Sequence, residues 1–199
     1  MDTHTRRSHG PWSAHAAVVL FAMTLMAPVG HAAEDAGDAG TTDTTLEAIR
    51  HVRTIDSRLD ALIAAGTRRS PMFRTLVDRL DRSTVFVYVQ SRLLPGQLTG
   101  RLTWLGSAER WRYLRVEIEC RQSIDSQIAA LGHELQHAVE IADQAAAVDL
   151  ASIRTLYRTI GFEIDDSRRR FESDAAKEAG SRVRRELSRP FRTSSSDSR

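Results

Sequence analysis

The chain has 199 residues, of which 41% are hydrophobic and 27% are charged. That composition excludes a wholly disordered protein and is sufficient for the core of a single soluble domain. The formal net charge is only +2, from 28 basic and 26 acidic residues, which argues against a nucleic-acid partner. Because Cys120 is the only cysteine, the chain cannot form an internal disulfide.

Residues 1–32 have the organisation of a secretory signal peptide. Two arginines at 6–7 precede an apolar run over 14–29, and small residues typical of a cleavage site follow at 30–33. A membrane anchor is the alternative, but about sixteen apolar residues are short for a span of roughly twenty. We therefore predict cleavage near Ala32 and a periplasmic or secreted protein without a stable membrane anchor. The remaining chain carries 26 basic and 25 acidic residues.

A linker and two helices are predicted next. Residues 33–45 are rich in Ala, Gly, Asp and Thr and have no apolar period, so we expect a flexible leader. A single domain is predicted over residues 46–188. Apolar residues at three- and four-residue spacing predict one helix over 45–66 and another over 71–81.

Strands and further helices complete the domain. Strands are predicted over 84–90, 97–105 and 111–120, where β-branched and aromatic residues are dense or apolar and polar residues alternate. Helical spacing returns from residue 121 and again over 150–160 and 171–187, and residues 189–199 are expected to be a disordered tail. The order predicts an α+β fold with a small three-stranded, mostly antiparallel sheet packed on a helical bundle.

The most informative pattern is His133-Glu134-Leu135-Gln136-His137, on the helix predicted from residue 121. Histidines four residues apart lie one turn apart on the same helix face, so both rings can bind one metal ion. The pattern is typical of zinc sites in metallopeptidases, where the carboxylate takes a proton from zinc-bound water. With 7 His and 11 Glu in the chain, it would arise by chance in about one such chain in seventy-five.

A catalytic zinc site needs a third protein ligand and one open position for water. Glu172 is the first choice for this ligand, because Glu172, Ala176, Ala179 and Val183 share one face of the helix predicted over 171–187. That face packs inward, and a buried carboxylate needs a partner. A zinc ion held by two imidazoles would be such a partner.

Other readings of the acidic residues stay open. Glu172 could instead pair with an arginine of the run at 168–170, near a helix start where the dipole also favours an acid. Glu163 is the reserve choice for the third ligand, although its neighbours indicate a loop. Glu140 shares the histidine face but lies about 10 Å along the helix from His133, so we predict that it orients a ligand instead of binding the ion.

The motif at 133–137 with Glu172 downstream resembles the gluzincin branch of zincin metallopeptidases, over about forty residues. The resemblance implies a zincin-like fold in which His133, His137 and Glu172 hold zinc and Glu134 activates water. It also implies that the strand at 111–119 is an edge strand that binds an extended peptide or protein substrate.

The chain departs from the gluzincin pattern in two ways. Many gluzincins have an aspartate four residues after the third ligand, where this chain has Ala176, so the contacts that support the ligands must be built differently or another residue is the ligand. An oxyanion-stabilising residue is also not evident. Tyr157 and Arg154 lie between the motif and Glu172 and are the candidates, with Tyr157 as a candidate catalytic residue that equally fits a packing position.

Together these features predict an exported hydrolase that cleaves peptide bonds, with Zn²⁺ as its cofactor and Glu134 as the general base. One alternative is a catalytically silent zinc-binding or regulatory protein that retains the zincin fold. Another is a metal-free helical domain in which the five-residue motif occurs by accident.

Overall fold

The structure, a computed structural model, describes residues 18–20, 50–165 and 170–189. Its helices and strands are interspersed along the chain, which confirms the predicted α+β class. The helices are α1 (Ser57–Arg69), α2 (Pro71–Asp81), α3 (Ile124–Asp143), α4 (Leu150–Ile160) and α5 (Asp174–Leu187). The strands are β1 (Val18–Leu20), β2 (Val52–Arg53), β3 (Val85–Arg92), β4 (Gly100–Ala108), β5 (Trp111–Glu119), β6 (Gly161–Asp165) and β7 (Arg170–Ser173).

Four of these strands form a mixed sheet in the order β2-β3-β5-β4. β2 pairs with β3 and β3 pairs with β5 in parallel, whereas β4 and β5 are antiparallel. β6 and β7 pair antiparallel with each other, and β1 lies between β4 and β7. The prediction of three mostly antiparallel strands was therefore wrong in strand number and in direction.

The reason is the position of β5 between β3 and β4. Ala108 pairs with Trp111, so Glu109 and Arg110 form a two-residue turn, and Glu109 has the positive φ of 53° that such a turn needs. β4 and β5 therefore form the hairpin. β3 precedes this hairpin in the chain and pairs with the side of β5 that β4 leaves free. Because the connection from β3 to β4 is short, β3 runs antiparallel to β4 and therefore parallel to β5.

The core lies between the four-stranded sheet and the helices. Alternate residues of the central strands form its sheet side: Val85, Val87 and Val89 of β3, and Leu114, Val116 and Ile118 of β5, all buried. α3 packs on this face, and α5 packs on the far side of α3. α3 therefore lies in the middle of the domain, with protein on both sides.

The first helix differs from its prediction over 45–66. Val52 and Arg53 pair with β3, and α1 begins at Ser57 after Asp56, whose side chain accepts a hydrogen bond from the Arg58 amide. Gly66 lies within the helix, where a Cβ atom would come within 3.0 Å of Ile128 and Phe73. This glycine permits close packing and does not end the helix.

Several predictions concern residues outside the described ranges. They are the leader over 33–45, residues 190–199 of the tail, and the signal peptide apart from Val18–Leu20. Within the ranges that are described, we find no helix with the length and apolarity that a membrane crossing requires.

Candidate metal centre

α3 carries His133 and His137 on one face, with ring centroids 5.0 Å apart. The helix begins after Ser123, whose hydroxyl accepts a hydrogen bond from the Ser126 amide. Two glycines allow α5 to approach the histidines closely. A Cβ atom on Gly180 would lie 3.1 Å from the Cβ of His133, and one on Gly132 would lie 2.9 Å from Val183.

The far end of α3 is anchored by a buried arginine on β5. The guanidinium of Arg112 donates hydrogen bonds to the carbonyl oxygens of Ile141 (2.6 Å), Ala142 (3.1 Å) and Gln144 (2.8 Å). These carbonyls lie at the C-terminal end of the helix, where Gln144 is the C-cap and the dipole favours a cation. Arg112 thus fixes the motif helix relative to the sheet.

Glu172 lies on β7, one residue before the N-cap of α5, and not inside a helix as predicted. The helix begins only at Asp174, because the Ser173 hydroxyl caps it by accepting a hydrogen bond from the Ala176 amide. The Glu172 carboxylate is buried, as expected, and its Oε1 accepts a hydrogen bond from the Ser173 amide at 2.9 Å. Its position is set by a strand end and not by helical register.

The three predicted ligands converge. Oε1 of Glu172 lies 3.3 Å from Nε2 of His133 and 3.4 Å from Nε2 of His137, and the candidate ligand atoms all lie within 4.8 Å of one another. Around a tetrahedral ion with bonds of about 2.0–2.1 Å, neighbouring ligand atoms are about 3.3–3.4 Å apart. The two distances from Glu172 therefore match those around a tetrahedral metal ion, and three protein ligands would leave a fourth position for water.

Both imidazole Nε2 atoms are buried and make no hydrogen bond of ordinary geometry. A buried polar atom without a hydrogen bond carries a desolvation cost that metal coordination would remove. This observation supports a metal ligand role for His133 and His137 independently of the spacing between them.

The other ring nitrogen of His137 lies among buried polar side chains. Its Nδ1 lies 2.9 Å from Oε2 of Glu140 and 3.1 Å from the hydroxyl of Tyr157. Ser173 donates a hydrogen bond of 2.6 Å to Oε1 of Glu140. Glu140 thus contacts a ligand histidine on the side away from Glu172, the position predicted for it.

Glu134 is completely buried and packs against β4 at Gly100. A Cβ atom on Gly100 would lie 2.7 Å from Oε1 of Glu134, so only glycine leaves room for this carboxylate beside the strand. Its negative charge contributes to raising the pKa of His137, which places it within electrostatic range of the cluster.

The buried charges shift each other's pKa values. Burial lowers the pKa of His137, but the hydrogen bond to Glu140 and the proximity of Glu172 outweigh it and raise this pKa to about 10. For His133 burial dominates, and its pKa is lowered. Burial raises the pKa of Glu172, but the two histidines outweigh it and lower the value to about 2. Without a metal, Glu172 is ionised and His137 carries a proton at neutral pH.

The remaining candidate residues are Glu163, Arg154 and Tyr157, and their positions differ. Glu163 is exposed on β6 and does not join the cluster. Arg154 is half-buried on α4. Tyr157, also on α4, directs its hydroxyl to the Nδ1 side of His137, so its position suits a residue that orients a ligand and not an oxyanion donor.

The prediction that the strand at 111–119 is an edge strand was also wrong. β5 lies between β3 and β4, so it has no free edge. β4 is the strand beside Glu134, and its outer edge pairs in parallel with Val18–Leu20.

Sequence reasoning missed three residues that build the site: Gly100, Arg112 and Ser173. A local indication existed for Ser173, because Ser173-Asp174 is a helix-start pattern that places the cap after Glu172. Gly100 and Arg112 gave no such indication, since their partners on α3 are more than twenty-five residues away in sequence.

Comparisons with protein-family models, with curated proteins and with solved structures find nothing significantly similar to this chain.

Proposed function

We propose that the chain is an exported zinc-dependent hydrolase whose substrates are peptides. One observation carries the proposal: Oε1 of Glu172 lies at the spacing of tetrahedral ligands from Nε2 of both His133 and His137, and Glu134 follows His133 in sequence. Three nitrogen and carboxylate ligands with one position left for water form the ligand set of catalytic zinc sites.

Each residue has a distinct chemical role in this proposal. His133, His137 and Glu172 would hold the ion, and Glu140 would keep His137 oriented. Bound zinc supplies a water of lowered pKa and polarises the scissile carbonyl. Glu134 would take a proton from water as the general base and would pass it to the leaving amine. Burial of Glu134 strengthens these electrostatic interactions, because little solvent screens them.

A peptide substrate is supported by the edge of β4. Arg101, Leu102 and Thr103 pair there with the three residues of β1, so this edge forms main-chain contacts with an extended chain. Addition of a strand to a sheet edge is a common way to bind peptides, since the backbone supplies the hydrogen bonds. β1 also contacts α3 and β7, the elements that carry the ligands.

Zinc content and peptide hydrolysis of Glu134→Gln, beside wild type and Glu172→Ala, test the proposal. We expect wild type to bind about one zinc per chain, and Glu134→Gln to retain the zinc but to lose at least about a hundredfold in kcat. Glu172→Ala should lose both. Glu163→Gln, which changes an exposed carboxylate, is the matched control and should match wild type. Full activity in Glu134→Gln would refute the mechanism.

The burial of the cluster favours a second candidate, a zinc-binding protein without catalysis. Glu134 and His137 have no solvent exposure, so a substrate would have no direct access to an ion held beside them. Such a protein would bind one zinc per chain through the same three ligands, and hydrolysis would be absent from wild type and Glu134→Gln alike.

A further inference from the structure

We propose that Ser173 and Tyr157 are positioning residues for the zinc ligand His137, and that they act through Glu140 and through the His137 ring. The inference rests on the proposed metal site. This chain has Ala176 where many gluzincins have an aspartate, so other residues must support the ligands.

Ser173 joins two parts of the site through one residue. Its amide donates to Oε1 of Glu172 at 2.9 Å, and its hydroxyl donates to Oε1 of Glu140 at 2.6 Å. The hydroxyl oxygen also accepts the Ala176 amide at 3.1 Å. A hydroxyl has one proton to give, so this arrangement commits that proton to Glu140 and leaves the lone pairs for the cap of α5.

Glu140 is consequently held at both oxygens. Oε1 accepts from Ser173, and Oε2 lies 2.9 Å from Nδ1 of His137. Because Glu140 belongs to α3 and Ser173 is the last residue of β7, the Glu140 carboxylate links the two segments that carry the proposed ligands. The same backbone segment thus supplies the third ligand, Glu172, and the hydroxyl that fixes the support of the second ligand.

Tyr157 adds a second restraint on the same ring. Its hydroxyl is fully buried, donates to the carbonyl oxygen of His137 at 3.3 Å, and lies 3.1 Å from Nδ1. The Tyr157 hydroxyl thus contacts both the backbone and the ring of His137, and it also forms a hydrogen bond with Glu140. Because Nδ1 faces the acceptor Glu140, a metal ion would displace the proton on Nε2 and bind there, while Nδ1 keeps its proton.

Three variants of Ser173 separate its roles. Ser173→Ala removes both the cap and the contact with Glu140. Ser173→Asp keeps a good N-cap acceptor but places a second carboxylate beside Glu140 and has no proton to donate. Ser173→Thr keeps both functions. Ser123→Ala, which removes the N-cap of α3 away from the cluster, is the control for loss of a cap alone.

Tyr157→Phe provides the test that best preserves the fold. It removes only the hydroxyl and retains the ring, which stacks on Phe171 with centroids 5.8 Å apart. This variant keeps the proposal falsifiable if a Ser173 variant fails to fold.

The measurement is zinc affinity of the full chain, by competition with a chelator, together with the visible spectrum of the cobalt-loaded protein. We expect Ser173→Ala, Ser173→Asp and Tyr157→Phe to bind zinc about ten- to a hundredfold more weakly than wild type and to alter the cobalt spectrum. Ser173→Thr and Ser123→Ala should retain wild-type affinity and spectrum.

Wild-type zinc affinity and an unchanged cobalt spectrum in both Ser173→Asp and Tyr157→Phe would overturn this inference. If Glu172→Ala loses zinc in the same experiment, the proposed metal site stands without it. A wild-type protein that binds no zinc overturns both.

Discussion

His133 and His137 have the same chemistry but different surroundings. His137 lies between two carboxylates, Glu140 on the Nδ1 side and Glu172 on the Nε2 side, whereas for His133 the effect of burial dominates. The pKa of His137 is therefore raised to about 10, and that of His133 is lowered. A metal ion that bound at this site would have to displace the proton of His137.

Zinc affinity should accordingly rise with pH. Glu172, with a pKa of about 2, is ionised throughout, and His133 is neutral at pH 7 and above, so only the proton of His137 is released. We expect affinity to increase by about tenfold per pH unit between roughly pH 7 and 9 and to level off near pH 10. Chelator competition at several pH values measures the slope.

Glu140→Gln is the informative comparison for this slope. It removes a charge that raises the pKa of His137, so the rise of affinity with pH should level off at a lower pH. An affinity independent of pH in wild type would contradict a protonated His137.

Gly100 determines where Glu134 can lie. Gly100→Ala would place a Cβ atom 2.7 Å from Oε1 and 2.9 Å from Cγ of Glu134, so the carboxylate must move. We expect kcat to fall by tenfold or more, about the effect of a displaced catalytic group, with zinc content unchanged. Ser107→Ala, on the same strand, is the control, and equal rates in Gly100→Ala and wild type would argue against Glu134 as the base.

At the scale of elements, local patterns predicted the helices with clear boundaries. α2 and α4 occupy the predicted ranges, because Ser70-Pro71 is a strong start and Gly161 follows the last turn of α4. The strand pairings could not be predicted in this way, since the insertion of β5 between β3 and β4 depends on contacts distant in sequence.

The convergence of the three ligands was predictable only in part. The spacing of His133 and His137 follows from the helix alone. The burial of Glu172 was expected from its helical spacing to Ala176, Ala179 and Val183. In the structure Glu172 lies on β7 instead, and its carboxylate is already buried there, before α5 begins at Asp174. Local periodicity cannot distinguish these two origins.

Arg112 links two elements, and its loss should destabilise the domain. Arg112→Ala removes three hydrogen bonds to carbonyl groups at the C-terminal end of α3 and deletes a buried side chain between the helix and the sheet. We expect the free energy of unfolding to fall by about 3 kcal/mol or more. Urea denaturation of the zinc-free protein measures it, with Arg110→Ala in the exposed turn as a control expected to change it by less than about 1 kcal/mol. A similar loss in both variants would contradict this role.

For the whole molecule, the position of β1 bears on access to the site. Val18–Leu20 pairs with β4 and contacts α3 and β7, and it lies within the predicted signal peptide. A chain that begins at Ala33 lacks this strand and presents the free edge of β4. We expect its kcat/KM on a fluorogenic peptide to exceed that of the full chain, and equal values would indicate that substrates do not pair with β4.

The depth of the cluster has a kinetic consequence. His137 and Glu134 have no solvent exposure, and Glu172 retains 3%. An ion held there would exchange with solvent only when α3, β7 and their neighbours move apart, so its release rate would follow the frequency of that opening. A strong chelator would then remove zinc at a rate that no longer rises with chelator concentration. The metal found in the purified protein would then be the ion that was available while the chain folded.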